Sequence, residues 1–184
     1  MQQFLRYKIW HLIPFVVVMW AVEIIDAFYF DSKLDSYGIS PRNLQGLWGI
    51  LFAPFLHGDF EHLMANTFPL IILGSLILWR SVEEFWIATL VIMTVGGGGV
   101  WVFGERGSFH VGASILIFGY IGYLLLRGYL EHSSNGVLVS LLVLVFYGGT
   151  LAQGIFPTDS GVSWEGHLFG CIGGLLAAHA VSKT

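Results

Sequence analysis

Six charge-poor apolar stretches, at about 11–30, 62–79, 85–103, 112–127, 137–155 and 167–182, limit what this chain can fold into more than any other feature. Most are close to the roughly 20 residues that cross a hydrocarbon core, and the segments between them hold most of the charged side chains. In lipid a backbone must satisfy its own N–H and C=O groups, so such stretches are expected to be helices. The chain is therefore read as an all-α membrane protein, a single domain over residues 1–184 that crosses the bilayer six times. Composition agrees: of 184 residues, 55% are hydrophobic and 11% charged, well away from the balance of a soluble domain.

The first stretch, "HLIPFVVVMWAVEIIDAFYF", follows Arg6 and Lys8 as a secretory leader would, yet it is long and lacks a small-x-small cleavage site. It is expected to be a retained span. Six spans put both termini on one side, with Arg6, Lys8, Arg80, Arg127 and Lys183 there and Lys33, Arg42 and Arg106 opposite. The positive-inside rule then predicts cytoplasmic termini, and a prokaryotic inner membrane is the expected location. A net charge of −4 without a basic patch leaves nucleic acid out as a partner. Cys171 is the single cysteine, which excludes an internal disulfide and a cysteine metal cluster.

The connection over 31–61 contains "LQGLWGILFAPFLHG", apolar but broken at Pro54 and too short to span, so an interfacial or re-entrant element is expected. Glu23 and Asp26 fall in the first span, where a carboxylate is costly. Asp26 is within reach of the outer interface. For Glu23 a hydrogen bond to a neighbouring helix and a functional role are both open.

Under this topology the second, fourth and sixth spans begin on the outer side, and each begins with chemistry. "HGDFEHLMAN" supplies His57, His62 and Asn66; "HVGAS" supplies Ser114; "WEGHLFG" supplies His167. A serine near a helix N-terminus sits beside unpaired N–H groups and the positive end of the helix dipole, which favours negative charge on oxygen. An imidazole at the same depth can take the serine proton and return it to a leaving amine. His62 and Asn66, four apart, share a helix face and can donate hydrogen bonds to a developing oxyanion. Each residue also has a plainer reading, the serine as a packing residue and the histidines as interfacial hydrogen-bonders. Their coincidence at one depth favours chemistry. His57 is expected outside the helix as a structural anchor of the long connection, His110 as a loop residue, and His11, His132 and His179 at the cytoplasmic ends. Glu165, two residues before His167, is expected to face solvent, so a dyad is read rather than a triad. In the last span Gly166, Gly170, Gly174 and Ala177 form a small-residue stripe that shares a face with His167 and lets helices approach closely.

At these residues the sequence resembles the rhomboid intramembrane serine proteases. "HGDFEHLMAN" is similar to that family's H-x4-H-x3-N, "GAS" to its G-x-S, and "GHLFGCIGG" to its H-x2-G-x3-G, in the same order and over nearly the whole chain. The resemblance implies Ser114 as nucleophile, His167 as general base, and His62 and Asn66 as oxyanion stabilisers helped by the Ser114 N–H. Gly112, Gly170 and His57 would be supporting positions, and Phe118 would stack on the catalytic histidine. It implies a membrane-embedded first loop at 31–61, and a gate formed by the fifth span and the 156–166 loop. Substrates would be single-span transmembrane proteins entering sideways from the bilayer, with no cofactor and no metal.

One position departs from the family pattern: Ile115 stands where G-x-S-G has its second glycine. A branched side chain is expected to add bulk beside the nucleophile. That also fits a different class of protein, a catalytically silent relative that binds transmembrane clients. A haem or metal held by His57, His62 and His167 would leave Ser114 and Asn66 without a role. Neither H-E-x-x-H nor a G-x-G-D motif with a second membrane aspartate occurs, so other intramembrane protease classes fit poorly.

Overall fold

The computed structural model describes residues 8–156 and 162–183. Arg6 and the centre of the proposed gating loop, 157–161, lie outside the described residues. Long helices form at all six apolar stretches: α1 (Ile13–Ile25), α2 (Phe60–Arg80), α3 (Val82–Phe103), α4 (Ser114–Leu130), α5 (Ser134–Gly154) and α6 (Trp164–Val181). Among the described residues there is no strand, and Ile39 and His110 make an isolated antiparallel bridge.

By length and hydropathy, four segments can cross a membrane: Ile13–Phe30, α2, α3 and α5. The protein is thus a multi-pass membrane protein. The expectation of six full spans meets two shorter or less apolar helices. α4 has 17 residues, about 25 Å at 1.5 Å per residue, below the roughly 30 Å of a hydrocarbon core. α6 is rich in glycine and carries two histidines.

Capping explains where the helices start. Asp59 caps α2, Ser81 caps α3, Ser133 caps α5 and Ser163 caps α6, each side chain accepting from an amide of the first turn. These four helices therefore begin two or three residues ahead of their apolar stretches, because a capped first turn takes in polar residues that hydropathy leaves out. α4 behaves oppositely. It starts two residues later than expected, at Ser114, with Ala113 in the cap position and no side-chain cap.

α6 lies between α3 and α4 and packs on both along most of its length. The approach to α4 is close enough that a Cβ on Gly174 would strike the Gly119 carbonyl oxygen, so the small-residue stripe is a packing seam. Around it Leu63, Leu73, Phe85, Ile92, Leu116 and Tyr120 form a buried core, with the Tyr120 hydroxyl 2.7 Å from Thr89 Oγ1. α5 is attached differently, leaning mainly on α4 and little on α6. Only Gly136 and Val143 of its residues are buried.

α1 ends in a wider turn over Asp26–Phe30, after which Asp31 and Ser32 take positive φ. Buried Asp26 accepts a hydrogen bond from the Leu34 N–H at 3.0 Å and so ties the turn together. Within 31–61 the apolar element is a series of short turns, Gln45–Leu47, Gly49–Phe52 and Ala53–Phe55, with no span among them. It is seated on the bundle by Ile50, which packs on Gly97 of α3, while Leu44, Trp48, Leu51 and Phe52 are exposed. At the end of the bundle where α2 and α4 finish, Glu84 accepts from Arg80 (3.1 Å), Arg127 (3.2 Å) and the Tyr123 hydroxyl, and Arg80 also pairs with Glu131 at 2.5 Å.

Candidate functional site

The starts of α2, α4 and α6 meet around a cavity of about 1410 Å³, lined among others by His62, Asn66, Ser114, Phe118, Gly154 and His167. Its other walls come from α5 and the 104–113 loop. The four residues read from the sequence as nucleophile, base and donor pair are thus brought to one space.

Each arrives there for a local reason. The Asp59 cap accepts from the His62 N–H at 2.6 Å and starts α2 so that His62 lies in its first turn. Asn66 is one turn on and buried, its Nδ2 donating to the His62 carbonyl at 2.8 Å. Gly112 has φ +109°, and a Cβ there would come within 2.6 Å of His62 Cε1. Glycine is therefore required for the chain to pass over the His62 ring just before Ser114. α4 has no side-chain cap; the Leu116 N–H bonds the Ala113 carbonyl at 2.9 Å, and Ser114 lines the cavity at the positive end of the helix.

The Ser163 cap sets His167 one turn inside α6, deeper than the helix start expected from hydropathy. Its ring stacks on Phe118, with centroids 3.8 Å apart and planes 4° from parallel. Its Nδ1 is 3.0 Å from the Gly154 carbonyl, which can only accept, so the proton sits on Nδ1 and Nε2 is free to take another. A Cβ at Gly154 would lie 2.9 Å from that Nδ1 and overlap Phe118. A backbone carbonyl thus stands where a triad would place a carboxylate. Glu165 corrects the expectation that it faces solvent: it is in the first turn of α6, 9% exposed, and lines the cavity. It makes no hydrogen bond to His167 among the described residues. Ser114 and His167 themselves share the cavity without a direct hydrogen bond.

His57 lies outside α2, behind the cavity, 1% exposed. Its Nε2 accepts weakly from the Ala113 N–H at 3.4 Å, and its ring meets His62 edge-on at 5.1 Å. Burial, reinforced by His62, lowers its pKa to about 3, so it is neutral. With Nε2 accepting, the proton belongs on Nδ1. The Phe55 carbonyl is near enough to favour that proton yet out of hydrogen-bond geometry, and Nδ1 has no partner among the described residues.

Ile115 does not add bulk to the cavity beside Ser114. It is 6% exposed and absent from the cavity wall, and it turns into the seam of α3 and α6, against Gly96 and Gly166. Gly170 packs on the Ile115 carbonyl. The volume added at 115 is accommodated by glycines on two other helices.

Sequence reasoning missed Gly154, which carries no signal beyond closing an apolar stretch, and the pair His110 and Ser163. Ser163 was legible as a cap, since a serine followed within one turn by Glu165 opens a helix. His110 Nδ1 is 2.7 Å from Ser163 Oγ, and burial lowers its imidazole below the ordinary value of 6.5.

An uncharacterized protein of Mycobacterium bovis is 42% identical over 178 residues, covering 93% of this chain and 74% of that protein. An uncharacterized Mycobacterium tuberculosis protein matches to the same extent. One from Mycobacterium leprae is 38% identical over 179 residues, covering 93% of this chain and 70% of its own. The sequence model of the rhomboid domain matches residues 44–184, which include all of α2 to α6 and every residue of the cavity described above, and the chain belongs to the rhomboid family.

Proposed function

We propose that this chain is an intramembrane serine endopeptidase that cleaves transmembrane segments with a Ser114–His167 dyad. Ser114 Oγ attacks a substrate carbonyl while His167 Nε2 takes its proton; the same proton then goes to the leaving amine as the peptide bond breaks. Water, deprotonated by His167, attacks the resulting ester and releases Ser114. The Ser114 N–H, His62 and Asn66 stabilise the oxyanion, with Gly112, Gly170, Phe118 and His57 supporting them. No metal takes part.

The observation that carries this reading is a contrast in capping. Asp or Ser side chains accept from first-turn amides of α2, α3, α5 and α6, while α4 has no side-chain cap: its Leu116 and Ile117 N–H groups bond the Ala113 carbonyl, and among the described residues no side chain takes the Ser114 N–H beside the cavity. Amides left open at a nucleophile are what an oxyanion requires. A substrate helix would enter sideways past α5, whose Val145 and Phe146 face the cavity region and are 75% and 73% exposed. It must unwind locally, because a helical carbonyl is already bonded. The domain would span 1–184, in a prokaryotic-type cell membrane, with cytoplasmic termini and the cavity open to the outer face.

The test is cleavage of a reporter single-span protein in liposomes. Wild type should cut it, and Ser114→Ala and His167→Ala should each lose more than about 10³-fold in kcat. Cleavage by Ser114→Ala at the wild-type rate would overturn the assignment. Binding of the reporter without cleavage or fluorophosphonate labelling of Ser114 would instead establish a client-binding protein.

A further inference from the structure

His110 and Ser163 belong to the segments that lead into the two helices of the dyad. His110 is four residues before Ser114, and Ser163 is four before His167. Their side chains meet at 2.7 Å. The proton order around them is determined. The Ser108 hydroxyl donates to the Glu105 carbonyl (2.7 Å), so His110 Nε2, 2.9 Å from Ser108 Oγ, is the donor in that contact. Neutral His110 then accepts at Nδ1 from the Ser163 hydroxyl, and Ser163 Oγ in turn accepts from the Gly166 N–H at 3.3 Å. The backbone of His110 is held as well, exchanging hydrogen bonds of 2.9 and 3.0 Å with Ile39.

We propose that His110 and Ser163 are positioning residues, forming a strut that sets the separation of Ser114 and His167 by tying the 104–113 loop to the first turn of α6. The proposal rests on the peptidase reading. Deeper in the bundle the α4–α6 distance is governed by glycine contacts such as Gly174 on Gly119. At the site end no direct Ser114–His167 hydrogen bond holds the pair, so backbone placement does. A misplacement of about 1 Å between reacting groups costs on the order of 10²-fold in rate.

The experiment compares wild type, His110→Ala, Ser163→Ala, the double variant and His110→Asn on the reporter substrate. Hydrogen exchange of residues 163–168 is followed alongside. His110→Ala and Ser163→Ala should each lower kcat about 10- to 100-fold with KM within about twofold. The double variant should be no worse than the weaker single, because one contact is removed once. His110→Asn, which keeps an acceptor near the Nδ1 position, should recover most of the rate. Exchange in the first turn of α6 should rise in His110→Ala. Wild-type kcat in His110→Ala, or single losses that multiply in the double variant, would overturn the strut. If wild type neither cleaves nor labels with fluorophosphonate, the peptidase reading falls, and the exchange result alone judges the strut: unchanged protection in His110→Ala rejects it.

Discussion

Ile115 shows how far a motif reading goes and where packing takes over. By sequence it is a branched residue next to a nucleophile, and a hindrance there is the reasonable expectation. In the fold it is a core residue, because positions 114 and 115 differ by about 100° around a helix, and that rotation turns Ile115 from the cavity into α3 and α6. Two glycines, Gly96 and Gly166, receive it. Ile115→Gly should therefore not relieve a restraint. It should leave a void and add a flexible residue in the first turn of α4, costing about 2–5 kcal/mol for the lost side chain and about 1 kcal/mol for glycine in a helix. Thermal unfolding in detergent should show a marked fall in Tm, and reporter cleavage at permissive temperature should not exceed wild type. A stable Ile115→Gly with faster turnover would restore the hindrance view.

Helices were legible because hydropathy and charge are properties of consecutive residues. All six appear within a few positions of where the apolar stretches put them, and the four early starts, of α2, α3, α5 and α6, have one cause, the polar caps Asp59, Ser81, Ser133 and Ser163, whereas uncapped α1 and α4 start two residues late. What consecutive residues do not carry is how the ends of helices are joined. In the sequence Arg80 and Arg127 count only toward the positive side of the membrane, yet with Glu84 and Glu131 they form a connected network that clamps α2, α3 and α4 at the end opposite the cavity. Glu84 is its centre, with three donors. Glu84→Ala would leave both arginines short of a partner in a half-buried setting, a loss of about 1–3 kcal/mol, below that of a fully buried pair. Tm should fall while kcat on the reporter stays near wild type, since the network is remote from the cavity. A fall in kcat with Tm unchanged would mean that this end of the bundle communicates with the site.

For the molecule as a whole, the two ends of the bundle carry carboxyls that respond oppositely to pH. In the 31–61 connection, burial, followed by the charges of Asp26 and Asp59, raises Asp35 from 3.8 to about 6. Its stabilising contribution is complete below pH 3.8 and is lost as pH rises through about 6, because the folded state holds the proton more tightly. At the opposite end the hydrogen bond from Arg80 holds Glu131 below 4.5, so that contribution is present above 4.5 and is lost as pH falls. Asp35→Asn should therefore be more stable than wild type at pH 7, by about 1 kcal/mol once partial exposure is discounted, with the difference vanishing below about pH 4. Unfolding profiles from pH 4 to 8 would check this, and a gap that does not narrow on acidification would refute it.

The same division runs through the protein. Local sequence decided that the chain lives in a membrane, where its helices run, and which four polar residues, His62, Asn66, Ser114 and His167, begin helices of the same direction. Each of those follows from hydropathy, capping chemistry or spacing along one helix, which are written in neighbouring residues. The tertiary structure decided the rest: that Ile115 turns away from Ser114, that the Gly154 carbonyl and not Glu165 orients His167, and that His110 reaches Ser163 across more than fifty residues. Those depend on the rotation and depth of one helix against another, which packing of the whole bundle sets and no single segment contains.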